Sequence, residues 1–130
     1  MGTPEPVDLT AAYDALTFLG DRSADSTDDE LVGAFARLAE SQMGSVFIGH
    51  YAGDSMWERH GVGDEYVAVV DGSTEMTMII DGADVTHTLT AGQFVIVPQG
   101  TWHRFHTPDG VKVMTITPQP TDHQEARPVD

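Results

Sequence analysis

The sequence predicts an all-β protein, a barrel or double-sheet jelly roll, with a helical extension in front of it. Three observations carry this. After Gly44 the spacing of apolar residues changes from helical to alternating. The alternating runs are short, rich in Val, Ile, Thr and Met, and divided by Gly and Asp turn signals. No helical stretch interrupts them, and strands at this density without helices between them close on one another.

Residues 1–7 carry two prolines and no periodicity, and read as a loose terminus. A short helix is expected over 10–19, after Thr10, with Ala12, Leu16 and Leu19 on one face. A longer helix is expected over 27–40. Thr27 and Glu30 form a capping box, and Asp28, Asp29 and Glu30 place negative charge at the positive end of the helix dipole. Leu31, Ala34, Phe35, Leu38 and Ala39 then recur at helical spacing, an apolar stripe suited to packing on the outside of a sheet. Strands are expected over 45–51, 55–60, 65–71, 75–81, 84–90, 94–97, 102–107 and 111–117. Asp71-Gly72 and Asp81-Gly82 read as hairpin turns because Gly accepts positive φ, and Pro98-Gln99-Gly100 reads as another turn. The expected organisation is an N-terminal extension over 1–43, one barrel over 44–118 and a tail over 119–130. No internal repeat is visible, so the barrel is single.

Composition narrows the function. A chain of 130 residues suits one domain, and 40% hydrophobic residues suffice for a core. There is no cysteine, which removes disulfides and thiolate metal ligands. No 18-residue apolar stretch and no basic-then-apolar leader is present, so neither a membrane span nor a signal peptide is expected, and the expected location is cytoplasmic. Six Lys/Arg against 21 Asp/Glu give a formal charge of −15, a field that repels phosphate backbones and argues against nucleic-acid binding.

Two segments carry the chemistry. The first runs Trp57-Glu58-Arg59-His60-Gly61-Val62-Gly63-Asp64-Glu65 and closes with Gly72. The second runs from Gly92-Gln93-Phe94 through Pro98-Gln99-Gly100-Thr101-Trp102-His103. Together they resemble the two signature motifs of the cupin superfamily. His60, Glu65 and Gly72 sit at the spacing of the second His, the Glu and the final Gly of the first motif, G-x5-H-x-H-x3-4-E-x6-G. Gly92, Pro98, Gly100 and His103 match the second, G-x5-P-x-G-x2-H-x3-N. Three positions depart: Glu58 stands where the family has its first His, Thr107 where it has its closing Asn, and Gly53 lies five residues from Glu58 rather than six. The resemblance covers roughly residues 44–118. It implies the jelly-roll barrel, one metal ion held where His, His, Glu and His converge, and a homodimer.

Strand alternation adds to this independently. Residues i and i+2 share a face, so Glu58 and His60 point the same way and Arg59 the other. Glu65 opens the next strand after Gly61-Val62-Gly63, and His103 arrives from a distant one. Two imidazoles and two carboxylates brought together suit metal binding or acid–base chemistry. Burying two carboxylates without a cation is expensive, and a divalent ion is the simplest compensator. The candidate metal ligands are Glu58, His60, Glu65 and His103. Glu58 has two further readings: a proton-transfer group beside a three-ligand centre, which makes it the candidate catalytic residue, or an outward-turned side chain. The ligand set suits Fe, Mn, Zn, Ni or Co and disfavours soft ions.

Other positions read as follows. His106 alternates away from His103 and belongs at the surface. His50, with Val46 and Ile48, and His87, with Val85 and Leu89, read as core or cavity residues. His123 lies in the tail and reads as solvated, and Asp64 as an outward turn residue. Phe94, Ile96, Phe105, Val67, Val69, Met76, Met78, Met114 and Ile116 are the candidate core. Trp57 and Trp102 fall on the face opposite the ligands, against the helix or a dimer partner. No Lys or Arg sits at a clear inward position near the motifs, which disfavours a phosphosugar. The expected function is a mononuclear metal cupin acting on a small, partly apolar organic molecule, as an oxygenase or a metal-assisted isomerase or lyase. The alternative is a non-catalytic small-molecule-binding cupin, with or without metal.

Overall fold

The computed structural model describes residues 5–129; residues 1–4, the front of the expected loose terminus, and residue 130 lie outside it. Two short helices, α1 (Leu9–Asp14) and α2 (Asp28–Ala34), accompany nine strands. The strands are β1 (Leu19–Arg22), β2 (Phe35–Ser41), β3 (Gly44–Asp54), β4 (Trp57–His60), β5 (Glu65–Ile80), β6 (Ala83–Thr90), β7 (Phe94–Val97), β8 (His103–Thr117) and β9 (Thr121–Gln124). The architecture is the expected jelly-roll barrel. The long strand β8 ties it together, pairing antiparallel with β3, β4 and β5. β5 also pairs with β6 and β7, β3 with β1 and β2, and β4 with β9. Among the described residues, no helix is long and apolar enough to cross a membrane.

The core fills the barrel from inward-facing positions: Val67 and Val69, Met76 and Met78, Phe105, Val111 and Val113 are buried. Each such side chain, fully buried, contributes about 1.5–3 kcal/mol. The inward set on β5 is odd-numbered before Gly72 and even-numbered after it. A two-residue period cannot do this unless a residue is inserted. The register against β8 shifts between Val69 and Asp71 and again between Gly72 and Glu75, and Gly72 has φ +78°. Asp71-Gly72 is therefore a bulge that bends one strand across the barrel, where a hairpin turn was expected. Asp81-Gly82, with φ of +51° and +80°, is the expected hairpin turn between β5 and β6.

Other expectations are corrected. The helix expected over 27–40 keeps its capping box but ends at Ala34. From Phe35 the chain is extended and pairs with β3, Phe35 opposite Gly49. The edge of β3 offers unpaired backbone groups along its length, and satisfying them outweighs a weak helical preference. The helix expected over 10–19 spans Leu9–Asp14, capped by Asp8 rather than Thr10, and Leu19 already belongs to β1. Phe94 and Ile96 face outward, 59% and 45% exposed. Val95 and Val97 take the inward face because they pair with Val67 and Glu65. Met114 and Ile116 are only half-buried for the same reason, with Val113 and Thr117 inside. His87 is exposed on β6, and half-buried His50 packs at a tilt against Phe18 outside the main cavity.

Candidate metal centre

Local structure brings the two motifs together. The turn at Pro98-Gln99-Gly100 docks on the loop after β4. Gly100 N–H donates to the His60 carbonyl at 2.9 Å, Gln99 N–H to Asp64 at 2.8 Å and the Gln99 side chain to the Gly61 carbonyl at 2.7 Å. Asp64 is thus the outward turn residue expected. Gly100, at φ +78°, makes that turn possible. The chain then enters β8, where His103 stands opposite Glu58.

All four candidate ligands meet at one end of the barrel. Glu65 Oε1 lies 3.2 Å from His60 Nε2 and 3.1 Å from His103 Nε2. Ligand atoms of Glu58, His60 and His103 lie within 4.8 Å of one another, a grouping that could hold a metal ion. His60, His103 and Glu65 are each anchored from behind. Thr121 Oγ1 hydrogen-bonds His60 Nδ1 at 3.0 Å, the Thr101 carbonyl lies 3.0 Å from His103 Nδ1, and Thr117 Oγ1 donates to Glu65 Oε2 at 2.6 Å. The carbonyl on His103 Nδ1 requires the proton there and leaves Nε2 as a lone pair aimed at the centre.

What remains is unusual for a protein interior. His60 Nε2, His103 Nε2 and Glu65 Oε1 are fully buried and have no hydrogen-bond partner. A buried polar atom without a partner costs about 1–3 kcal/mol, and here three converge. Two ligands at about 2.1 Å from an octahedral ion stand about 3 Å apart, close to the spacings seen. The donor set and its geometry therefore fit a divalent ion.

Electrostatics agree. Burial alone would raise the Glu65 carboxyl, but the imidazoles of His103 and His60 beside it outweigh that and hold it down to about 2. Burial would lower His103, yet the Glu65 carboxylate beside it leaves it raised. The cluster attracts positive charge, whether protons or a metal.

Glu58 is set apart from the other three. Its side chain is 15% exposed, with Oε2 3.9 Å from His103 Nε2 and Oε1 turned toward Arg22 at 3.6 Å and His123 at 4.0 Å. It faces inward, as strand parity requires. Arg59 faces out, pairs with Asp122 at 2.9 Å and lies over the Trp102 ring. Trp57, Ile79 and Trp102 form a buried cluster of their own, with Arg104 over Trp57. Arg59→Ala is expected to leave metal content unchanged, because it touches only this outer cluster; a loss of metal on elemental analysis would contradict the parity.

Beside the four residues opens a cavity of about 650 Å³, walled by Leu31, Phe35, Phe47, Val67, Phe105 and Val113 among others. This is a size and lining typical of small-molecule sites.

A family model described as "Cupin domain", Cupin_2, matches residues 48–117, more than half of the chain. The chain belongs to the cupin family. A cupin-2 domain containing protein from Shewanella frigidimarina superposes with a TM-score of 0.65 at 19% identity, covering 87% of this chain and 94% of that one. The protein NMB1881 from Neisseria meningitidis gives 0.61 at 19%, covering 88% and 100%. Hydroquinone 1,2-dioxygenase PnpCD, solved with Cd2+ and 4-hydroxybenzonitrile, gives 0.54 at 18%, covering 65% and 63%. No curated protein matches the sequence.

The family match stops short of residues that shape this cupin's site. β1 contributes Arg22, whose guanidinium lies 4.5 Å from the Tyr51 ring centre and 5.0 Å from that of Phe35, with a side chain only 13% exposed. The expectation that no Lys or Arg near the motifs points inward did not reach this residue, which comes from β1. β9, in the segment read as a tail, pairs with β4 and supplies Thr121 to His60. His123 belongs to the same strand; it is 52% exposed, as a solvated residue should be, but lines the cavity rim. His106 is a surface residue, paired with Asp54.

Proposed function

We propose that this cupin holds one divalent transition metal ion on His60, Glu65 and His103, and acts on a small, partly apolar organic molecule in the adjoining cavity. Glu58 serves as a fourth ligand or as a proton acceptor beside the centre. The observation that carries the reading is the convergence of three buried, partnerless ligand atoms, His60 Nε2, His103 Nε2 and Glu65 Oε1. The donor set suits Fe, Mn, Zn, Ni or Co.

A bound ion of this kind supplies Lewis acidity and open positions for substrate or oxygen. The rest falls to the chain. Thr117, Thr121 and the Thr101 carbonyl fix the orientation of the ligands. Phe105, Val67 and Val113 provide a dry wall against which an apolar group sits. Glu58, neither fully buried nor hydrogen-bonded to the cluster, would take a proton from a substrate hydroxyl or carbon acid. Oxygenase chemistry is the first choice, supported by the shared fold with a hydroquinone dioxygenase; metal-assisted isomerisation or elimination uses the same parts. The outward apolar side chains Phe94 and Ile96 support a homodimer as part of this reading.

Elemental analysis of protein purified without chelators is the test. The expected result is about one transition metal ion per chain. Iron, with oxygen uptake on phenolic substrates, selects the oxygenase; manganese, nickel or zinc, with oxygen-independent turnover, selects isomerase or lyase chemistry. A protein that takes up no metal even on reconstitution overturns the reading.

A further inference from the structure

Arg22 stands out among the cations of a chain whose formal charge is −15. It is nearly buried, lies over Tyr51 and Phe35, and opens onto the main cavity. Its nearest carboxylate, Glu58, is 3.6 Å away, longer than the 2.7–2.9 Å or so of a charge-assisted hydrogen bond. A guanidinium is a rigid fork of five donors matched to a planar oxyanion. Here two aromatic rings hold the fork in place and leave donors unspent toward the cavity.

Charge balance points the same way. The charged groups lining the cavity are Arg22, Arg37, Glu58 and Glu65, with His60 and the rim residue His123. Arg37 is spent on Glu40, 3.1 Å away and well exposed. Once a divalent ion is bound, Glu58 and Glu65 cancel it, and with neutral imidazoles Arg22 is left as one uncompensated positive charge in a largely apolar cavity.

We propose that Arg22 is the specificity-determining residue of this site, and that the molecule it selects is a small organic monoanion: a carboxylate gripped by the Arg22 fork, with its apolar body against Phe105 and Val113. This rests on the cavity being the ligand site of the proposed metal centre, and deepens that reading by naming the ligand class. Arg22 lies outside the residues matched by the family model, so the specificity belongs to the N-terminal strand rather than to the common barrel.

The test compares benzoate with benzamide, isosteric and uncharged, by calorimetric titration into protein loaded with Co(II), whose absorption spectrum reports the metal centre. Wild type is expected to prefer benzoate by about 10–100-fold, the range for hydrogen bonds to a charged group. In Arg22→Met the preference should fall to within about twofold with the Co(II) spectrum unchanged, and Arg22→Lys should restore part of it, because Lys keeps the charge without the fork. A full benzoate preference in Arg22→Met means that the ion or another group binds the carboxylate, and overturns the proposal. So does Co(II) uptake by wild type without any preference, which would make Arg22 a mere counter-charge to Glu58. Failure to take up Co(II) sinks the metal reading instead. The same pair titrated into metal-free protein then decides for Arg22 if benzoate is preferred, and against it if not.

Discussion

His103→Ala should yield a folded barrel that retains no stoichiometric metal. The side chain is fully buried and stands between Glu65 Oε1 at 3.1 Å and Glu58 Oε2 at 3.9 Å. It belongs to both halves of the candidate ligand set, whereas His123, 52% exposed, stands 4.0 Å from Glu58 Oε1, the carboxylate oxygen that does not face His103. Removing an outer-shell partner costs about 10–100-fold in metal affinity, so deleting a direct ligand should cost at least about 100-fold. Elemental analysis after dialysis reads the loss, and circular dichroism verifies the fold. The substitution also acts on the metal-free protein. With its carboxyl held down to about 2, Glu65 contributes stability that is present above its unfolded value and lost as the pH falls toward 2. The His103 imidazole beside it is the leading influence holding it down. Its removal should raise the Glu65 carboxyl, so that the variant unfolds at a higher pH on acid titration. Full metal occupancy in His103→Ala would mean that the ion, if one binds, sits elsewhere.

The parts of this site that could be read in the sequence are those set by short-range spacing. His60 and Glu58 share a strand face because they are two residues apart. Glu65 follows one tight loop later, and Pro98 and Gly100 announce the turn that delivers His103. The capping box at Thr27 and Glu30 is equally local, and it is present as read. What escaped depends on pairings between distant segments. Arg22 lies 36 positions before Glu58 and reaches it only because β1 adds to β3 in parallel. Thr121 lines up with His60 because the presumed tail returns as an antiparallel strand. Phe35, Leu38 and Ala39 fit a helical stripe, and only the vacant edge of β3 decides that they form a strand. The bulge at Gly72 was misread for a similar reason. Asp-Gly is a strong hairpin signal, but here β8 pairs with the residues on both sides of it and the strand continues through a bulge.

Gly53 shows how a residue that fits the family spacing poorly can still bear on the site, and a large stability change is expected from one methyl group there. Its φ is +110°, a conformation that side-chain-bearing residues rarely adopt. A Cβ there would lie 2.1 Å from the backbone oxygen of Arg22 and 2.6 Å from its nitrogen. Both atoms belong to β1, which pairs with β3 at Arg22 opposite Gly53 and at Leu19 opposite Tyr51. Gly53→Ala must therefore combine backbone strain with a displaced strand, and a loss of about 2–4 kcal/mol, roughly 10 °C in melting temperature, is expected. Gly92→Ala is the control. Gly92 also has positive φ, +88°, but nothing lies within 4 Å of its would-be Cβ, so it should lose only about 1 kcal/mol. Equal losses in the two variants would show that φ alone matters and that β1 does not press on Gly53. If β1 does press there, its displacement lifts Arg22 off Tyr51 while His60, Glu65 and His103, carried by β4, β5 and β8, stay in place. Gly53→Ala should then keep the proposed metal and lose the proposed preference for benzoate over benzamide, so that one methyl group on β3 would separate the metal site from Arg22.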